Sequence, residues 1–271
     1  FWYRQSAYNT FEHQYDEQAA YALCINYQTL IEQNKNSASA DQIQQLTLMK
    51  VQAQQLFTWY FPNSKHIADI QINTLESYYA IQDYKNTILQ SQQLLETPQH
   101  LDSRLRLQAW SLQGHSYFIT KDFLAAEKAY SQALLVTNQE HAHNAVLKQR
   151  LASSIYQQAE YAIEQEQLTF ALLHFQRLPY VSDVAEYRIK AHFDEATYLL
   201  ISQRYQEAIN SLKAFTSTYA THPLNLQIRS KLIAAYEAQE QWANAADELN
   251  FVWKEETNSH LFLIKAVSSD V

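Results

Sequence analysis

The 271-residue sequence contains one glycine, Gly114, together with four prolines, one cysteine and one methionine. Average usage at this length would give roughly 19 glycines and 13 prolines. Glycine supplies the positive φ of tight hairpin turns, bulges and phosphate-cradling loops. Its scarcity therefore excludes a many-stranded sandwich, a dinucleotide-binding Rossmann unit, a P-loop and a nucleophile elbow. With Cys24 alone, no intrachain disulfide or Cys-rich zinc site can form. Its setting, Ala22-Leu23-Cys24-Ile25, reads as a buried structural thiol. Positive charge is also short, at 20 basic against 28 acidic residues for a net −8. That balance argues against a nucleic-acid groove, which needs a clustered Lys/Arg footprint. No apolar run approaches the ~20 residues that span a bilayer, and no signal-peptide pattern opens the chain.

What is present is a helical vocabulary. Hydrophobic residues make up 47% of the chain and aromatics 13%, enough for a sizeable core, while much of the polarity comes from 32 glutamines, which favour helices. Polar breaks fall at Asn34 to Ala40, Pro62-Asn63-Ser64, Thr97-Pro98, Thr137-Asn138, Pro179, Thr221-His222-Pro223 and Thr257-Asn258-Ser259. Between them, apolar residues recur three and four apart, the helical period. The chain begins on Phe1-Trp2-Tyr3 rather than Met, which reads as a fragment of a longer polypeptide.

Breaks at this spacing call for a repeat search. From Ala109 the sequence reads AWSLQGHSYFITKDFLAAEKAYSQALLVTN. Trp110, Gly114 and Tyr117 mark a first helix, and Phe123, Ala126, Tyr130 and Ala133 mark a second. This alternation of large and small residues resembles the tetratricopeptide repeat (TPR), a 34-residue helix–turn–helix. The departures are Gln113 for the family's Leu and Asn138 for its Pro. Weaker copies follow on Ile155, Ala159, Ala171 and Phe175, then Ala196, Leu199, Tyr205 and Ala208, then Leu232, Tyr236, Trp242 and Ala245. Another precedes, on Leu75, Tyr78 and Tyr84. The expected fold is all-α, a right-handed superhelical solenoid of stacked antiparallel hairpins. Residues 65–256 form about five repeats spaced 39, 45, 37 and 37 apart. Residues 1–64 form an N-terminal hairpin, degenerate repeat or cap, and 257–271 a capping helix or a truncated next repeat.

The resemblance implies a binding function. A helical hairpin cannot bury both faces, so neighbours stack and first helices line a concave surface. Transferred from the family pattern, inward positions include Asp69, Ile72, Glu76 and Tyr79, then His115 and Phe118, then Ser153, Tyr156 and Glu160, then Lys190 and Phe193. The expected partner-binding residues are Tyr79, Glu76, Phe118, His115, Tyr156, Glu160, Phe193 and Lys190, an aromatic and acidic groove for a basic or neutral protein or peptide. Recurrent aromatics of this kind dominate interface energetics. Only Lys190 offers a cation, which disfavours a carboxylate clamp. Each ring has a competing role, packing on a neighbouring helix, and Phe193 most of all.

Chemistry finds little support. Glu140-His141-Ala142-His143 places two His at i and i+2, off a shared helix face, and no HExxH occurs. Glu164 with Glu166, Glu255 with Glu256, His192 and Ser153 lack a catalytic signature. The expectation is a non-catalytic scaffold without cofactor or metal. The alternatives are a regulatory or substrate-delivery module of a cell-envelope enzyme whose catalytic domain lies elsewhere, and a spacer that self-assembles through exposed aromatics as a homo-oligomer. The pattern FPNSKHIADIQINTLESYYAIQDY is similar to bacterial cell-envelope TPR proteins, implying a periplasmic or envelope location, with the cytoplasm as the alternative.

Overall fold

A computed structural model describes residues 16–96, 101–137, 142–181 and 184–268, with side chains described outside 142–143 and 256–268. Among the described residues the chain is all-α. Twelve helices follow in order: α1 (Glu17–Asn34), α2 (Ala40–Tyr60), α3 (Ile67–Ala80), α4 (Tyr84–Glu96), α5 (Ser103–Ile119), α6 (Phe123–Val136), α7 (Ala142–Glu164), α8 (Leu168–Val181), α9 (Ala185–Ile201), α10 (Tyr205–Thr218), α11 (Asn225–Ala238) and α12 (Trp242–Ser268). None of the described helices is long and apolar enough to cross a membrane.

Helix starts follow from local chemistry. The Asp16 carboxylate accepts from the Gln18 and Ala19 amides, and Ser39 with Gln42 forms a reciprocal capping box on α2. Asp102 accepts from Leu105 N at 2.7 Å and Asp122 from Ala125 N at 3.0 Å. These acceptors satisfy amides that the first helical turn leaves unpaired.

The hairpin turns show where the repeat lies. Among the described residues, five non-glycine residues have positive φ: Gln82, Lys121, Glu166, Gln203 and Glu240, at 55–65°. Their separations are the 39, 45, 37 and 37 residues expected for the repeat. Each ends a first helix in the same way. The residue after it donates its amide back five residues, as Asp83 to Tyr78 O and Asp122 to Tyr117 O, both at 2.9 Å. The left-handed residue itself donates back three, as Lys121 to Phe118 O at 3.1 Å. This is the Schellman turn, in which glycine is the usual residue; here Gln, Lys and Glu adopt the left-handed conformation instead.

The chain forms two compact units, Phe1–Leu151 and Ala152–Val271. In the first, successive helices from α1 to α6 pack on one another and α3 also packs on α5. Its N-terminal core joins Ala20, Leu23, Cys24, Ala53, Phe57 and Ile70, so Cys24 is the buried thiol expected. A second core joins Ile72, Leu75, Leu94, Leu101, Leu105 and Ala109. In the second unit α8 through α12 pack successively and α9 also meets α11. Leu172, Leu199, Ile209, Leu212, Phe215, Ile228 and Leu232 form its core. Contacts between alternate helices, α3 with α5 and α9 with α11, are what set neighbouring first helices side by side. The described helices thus form the TPR-like stack of antiparallel hairpins that the spacing implies.

Two expected breaks are corrected. Pro179 lies inside α8, which runs on to Val181. A proline removes the amide bond to the residue four back, but it does so within the final turn, where little helix remains to be lost. Thr257-Asn258-Ser259 lies within the continuous α12, because Thr, Asn and Ser lower helix propensity without forbidding the helix. Thr97-Pro98, Asn138 and the Glu140-His141 step fall outside the described residues.

The lone glycine lies where a first helix passes tightly over a side chain of its hairpin partner. A Cβ placed on Gly114 would lie 2.8 Å from Tyr130 Cε1 and 2.9 Å from Cδ1. Tyr130 is fully buried on α6, so its ring occupies the volume that any side chain at 114 would need.

Candidate functional site

In the N-terminal unit the first-helix positions form a small aromatic cluster. Tyr79 on α3 and His115 on α5 bring their rings to 6.2 Å, and His115 lies 5.5 Å from the ring of Tyr130. His115 Nδ1 is 2.8 Å from the Tyr130 hydroxyl. Gly114 therefore does more than admit a ring: it lets Tyr130 pass beneath α5 and reach His115. Burial, helped by the Arg150 guanidinium on α7, pushes the His115 pKa down to about 4. The ring is neutral at neutral pH and able to accept the phenol proton at Nδ1. Burial raises the phenols of Tyr79 and Tyr130 as well. Beside this cluster, Arg104 on α5 meets Asp69 on α3 at 3.1 Å, an exposed pair that ties the two helices together loosely.

The remaining expected residues of this unit separate. Phe118 turns onto Phe123 of its own hairpin in an edge contact at 5.4 Å. Glu76 stands exposed on α3 and acts electrostatically on buried Lys50. Burial lowers the Lys50 pKa, and its ammonium is hydrogen-bonded to Gln28. Ile72, mapped to the inward face, is instead in the core between α3, α4 and α5, because a β-branched apolar side chain gains more from burial than from a solvent-facing position.

In the C-terminal unit the expected residues converge. The Tyr156 hydroxyl on α7 donates to Asp194 Oδ2 on α9 at 2.7 Å. Lys190, one turn before Asp194, places its ammonium 4.2 Å above the Tyr156 ring. Lys231 on α11 sits 5.2 Å over the Phe193 ring, whose other side packs on the core. Burial raises both the Tyr156 phenol and the Asp194 carboxyl. The Asp194 shift is opposed by the phenol hydrogen bond and by Lys190 and Lys231. Glu160 accepts from Gln157 Nε2 at 2.6 Å and also pushes the Tyr156 phenol up. The side of the Tyr156 ring is closed by Phe175 in an edge contact at 5.7 Å.

Tyr130, Arg150, Phe175, Asp194 and Lys231 take part in these clusters but are absent from the expected set. A signal for two of them was present in the sequence. Asp194 follows the mapped Phe193 by one residue, and Lys231 holds the same place in the next repeat, 37 residues on. The candidates for chemistry take other roles. His192 lies edge-on to Phe215 and Tyr219, at 5.4 and 6.1 Å, and burial lowers its pKa. Ser153 shares a hydrogen bond with the Tyr187 hydroxyl at 2.9 Å rather than with a base. Glu166 is one of the left-handed turn residues.

No family model matches the sequence, and no curated protein matches it. Solved structures that it resembles include YrrB, a TPR protein with an unusual peptide-binding site, at 18% identity over 77% of this chain and 96% of that one, with a TM-score of 0.38. A tetratricopeptide repeat protein from Parabacteroides merdae has 13% identity over 85% and 80%, with a TM-score of 0.37. The TPR2AB domain of yeast Sti1, in its pHSP90 complex, has 11% identity over 89% and 91%, with a TM-score of 0.39. The TPR-like character of this chain is carried by its own geometry: among the described residues, five Schellman turns in register, four of them closing a hairpin on a shape-matched buried pair.

Proposed function

We propose that this chain is a non-catalytic scaffold that holds protein or peptide segments on the faces of its first helices, with a separate patch in each unit. The observation that carries this reading is the network around Asp194. Three successive first helices contribute to it: α7 with Tyr156, α9 with Lys190 and Asp194, and α11 with Lys231. The fixed phenol and the cations held over aromatic rings form a preorganised surface, which lowers the ordering cost of binding. Charges of both signs flank the rings, so the patch suits a peptide that pairs an apolar anchor with mixed charge. In the N-terminal unit, Tyr79 and a neutral His115 offer a smaller aromatic patch.

Display of random peptides against the full chain tests this. Selected peptides are expected to lose binding on Tyr156→Ala or Lys190→Glu, or on Tyr79→Ala for the N-terminal patch. Failure to select any peptide, or binding that survives all three changes, overturns it. A concentration-dependent dimer in light scattering that buries Tyr79 and Tyr156 would replace peptide capture with self-assembly. An envelope setting, suggested by the aromatic-Pro step before α3, is tested by fractionating cells that express the full reading frame. Recovery in the cytosol overturns it.

A further inference from the structure

A second kind of surface recurs in the N-terminal unit, on a different stripe of the same helices. A cavity of about 410 Å³ opens between α2, α3 and α4, with Gln55, Trp59, Gln71, Gln90 and Gln93 among its walls. One repeat later, a cavity of about 450 Å³ opens between α4, α5 and α6, walled by Gln92, Trp110, Gln113 and Gln132. The two share one contact between neighbouring helices. Gln55 Nε2 donates to the Tyr78 hydroxyl and Gln92 Nε2 to the Tyr117 hydroxyl, both at 2.7 Å. Tyr78 and Tyr117 are equivalent residues, each four before its left-handed turn residue. On α3 the cavity takes Gln71, Thr74 and Leu75, whereas neither Glu76 nor Tyr79 lines it. This surface is therefore distinct from the peptide patch.

The chemistry of the first cavity is specific. Among the described residues its wall holds no ionisable side chain. Gln71 and Gln90 make no side-chain hydrogen bond to any described residue. Trp59 is 80% exposed at the rim, although a side chain of that size is normally buried. Each glutamine amide presents both a donor and an acceptor, and a flat indole adds a broad apolar face with low conformational freedom. A neutral polyhydroxylated ligand meets all of these features: its hydroxyls both give and accept, and the C–H face of a sugar ring lies flat on an indole. A proline-rich segment offers mainly carbonyl acceptors, which would leave the amide oxygens unmatched. The size lies within the range of small-ligand pockets.

We propose that the α2–α3–α4 cavity is a binding site for a neutral sugar residue of an oligosaccharide, with Trp59 as the stacking platform and Gln71 and Gln90 as the hydroxyl-reading groups. The α4–α5–α6 cavity lies at the same place one repeat later. There Glu96, Trp110 and Ala129 stand where Trp59, Gln71 and Gln90 do and Lys128 joins the wall, so the sugar site is assigned to the first cavity alone. The test titrates the full chain with neutral hexaoses of glucose and of N-acetylglucosamine, following tryptophan fluorescence and heat. Saturable binding to one of them is expected, weakened at least about tenfold by Trp59→Ala and by Gln71→Ala with Gln90→Ala. Tyr156→Ala, which disables the peptide patch of the other unit, should leave it unchanged. Trp59 is a surface residue, and unaltered thermal unfolding of Trp59→Ala verifies that the fold is intact. Absence of binding to both sugars at millimolar concentration overturns the proposal, as does binding that persists in Trp59→Ala. So does a proline-rich peptide that binds the same cavity in their place.

Discussion

The two units fill the same repeat positions with different shapes. At the small-residue position of the first helix and its counterpart on the second, the N-terminal unit holds Leu75 with Ser91, then Gly114 with Tyr130. The C-terminal unit holds Ala159 with Phe175, then Ala196 with Leu212. All of the described side chains in these pairs are buried. Where the first member is large the second is small, and the missing side chain at 114 is matched by the largest partner. The N-terminal unit has swung between the two extremes in consecutive hairpins, whereas the C-terminal unit keeps Ala and varies only the partner. The lesson is that a hairpin conserves the combined volume of the pair rather than either residue, as dense packing of interiors requires. The last hairpin departs from this rule: Ile233 and Leu249 are both large, and Leu249 is left 58% exposed.

Breaking that match should have the largest effect. Gly114→Leu is expected to destabilise the N-terminal unit by roughly 1–3 kcal/mol through overpacking on Tyr130. Thermal unfolding measures this, and a neutral result would remove the volume argument. Adding Tyr130→Ser to Gly114→Leu recreates the Leu75–Ser91 pair and should recover part of the loss, a coupling that a double-mutant cycle reads directly. In the C-terminal unit, Tyr156→Phe leaves the Asp194 carboxylate without its phenol donor, at a cost of about 1–2 kcal/mol. The same change should raise the Asp194 pKa further, measurable by carbonyl NMR. No change in either quantity would show that the network is dispensable there.

Two smaller effects sharpen the comparison. The His115 pKa is near 4, below the ordinary 6.5, so the unfolded chain takes up this proton first. Its contribution is complete above about pH 6.5 and is lost as pH falls from there through about 4. A melting temperature that declines across this window, with a shallower decline in His115→Gln, is the expected outcome. The smallest effects belong to the turns. Glu166→Gly or Gln203→Gly relieves left-handed backbone strain on a non-glycine residue but loosens the unfolded chain, for a net gain of about 0.5–1 kcal/mol each. Destabilisation on both substitutions would mean that these side chains hold contacts that outweigh the strain.

Much of the repeat was legible because it is local. Aspartates before α5 and α6 announce their caps, and Ala126, Ala171, Ala208 and Ala245 recur at fixed distances from the turns. The turns themselves were less visible: a search for glycine passes over Gln82 or Lys121, whose side chains do not advertise a positive φ. The N-terminal hairpin escaped the register because its turn, Asn34 to Ala40, has no left-handed residue among the five. It is tied to the next repeat instead by Gln55 and Tyr78, 23 residues apart. Among the candidate site residues, Tyr156 and Lys190 were found from their places on first helices, while Asp194 needed knowledge of which side of α9 meets α7.

From the sequence by itself come the helices, their caps, the repeat period and the exclusion of glycine-dependent folds, because each depends on neighbours within a turn or two. Only the tertiary structure decides that Gly114 makes room for Tyr130, that Phe118 closes on Phe123, and that Tyr156, Lys190, Asp194 and Lys231 meet. Those contacts join side chains on different helices, and their geometry is set by how closely two helices can pack once the volumes of both are known.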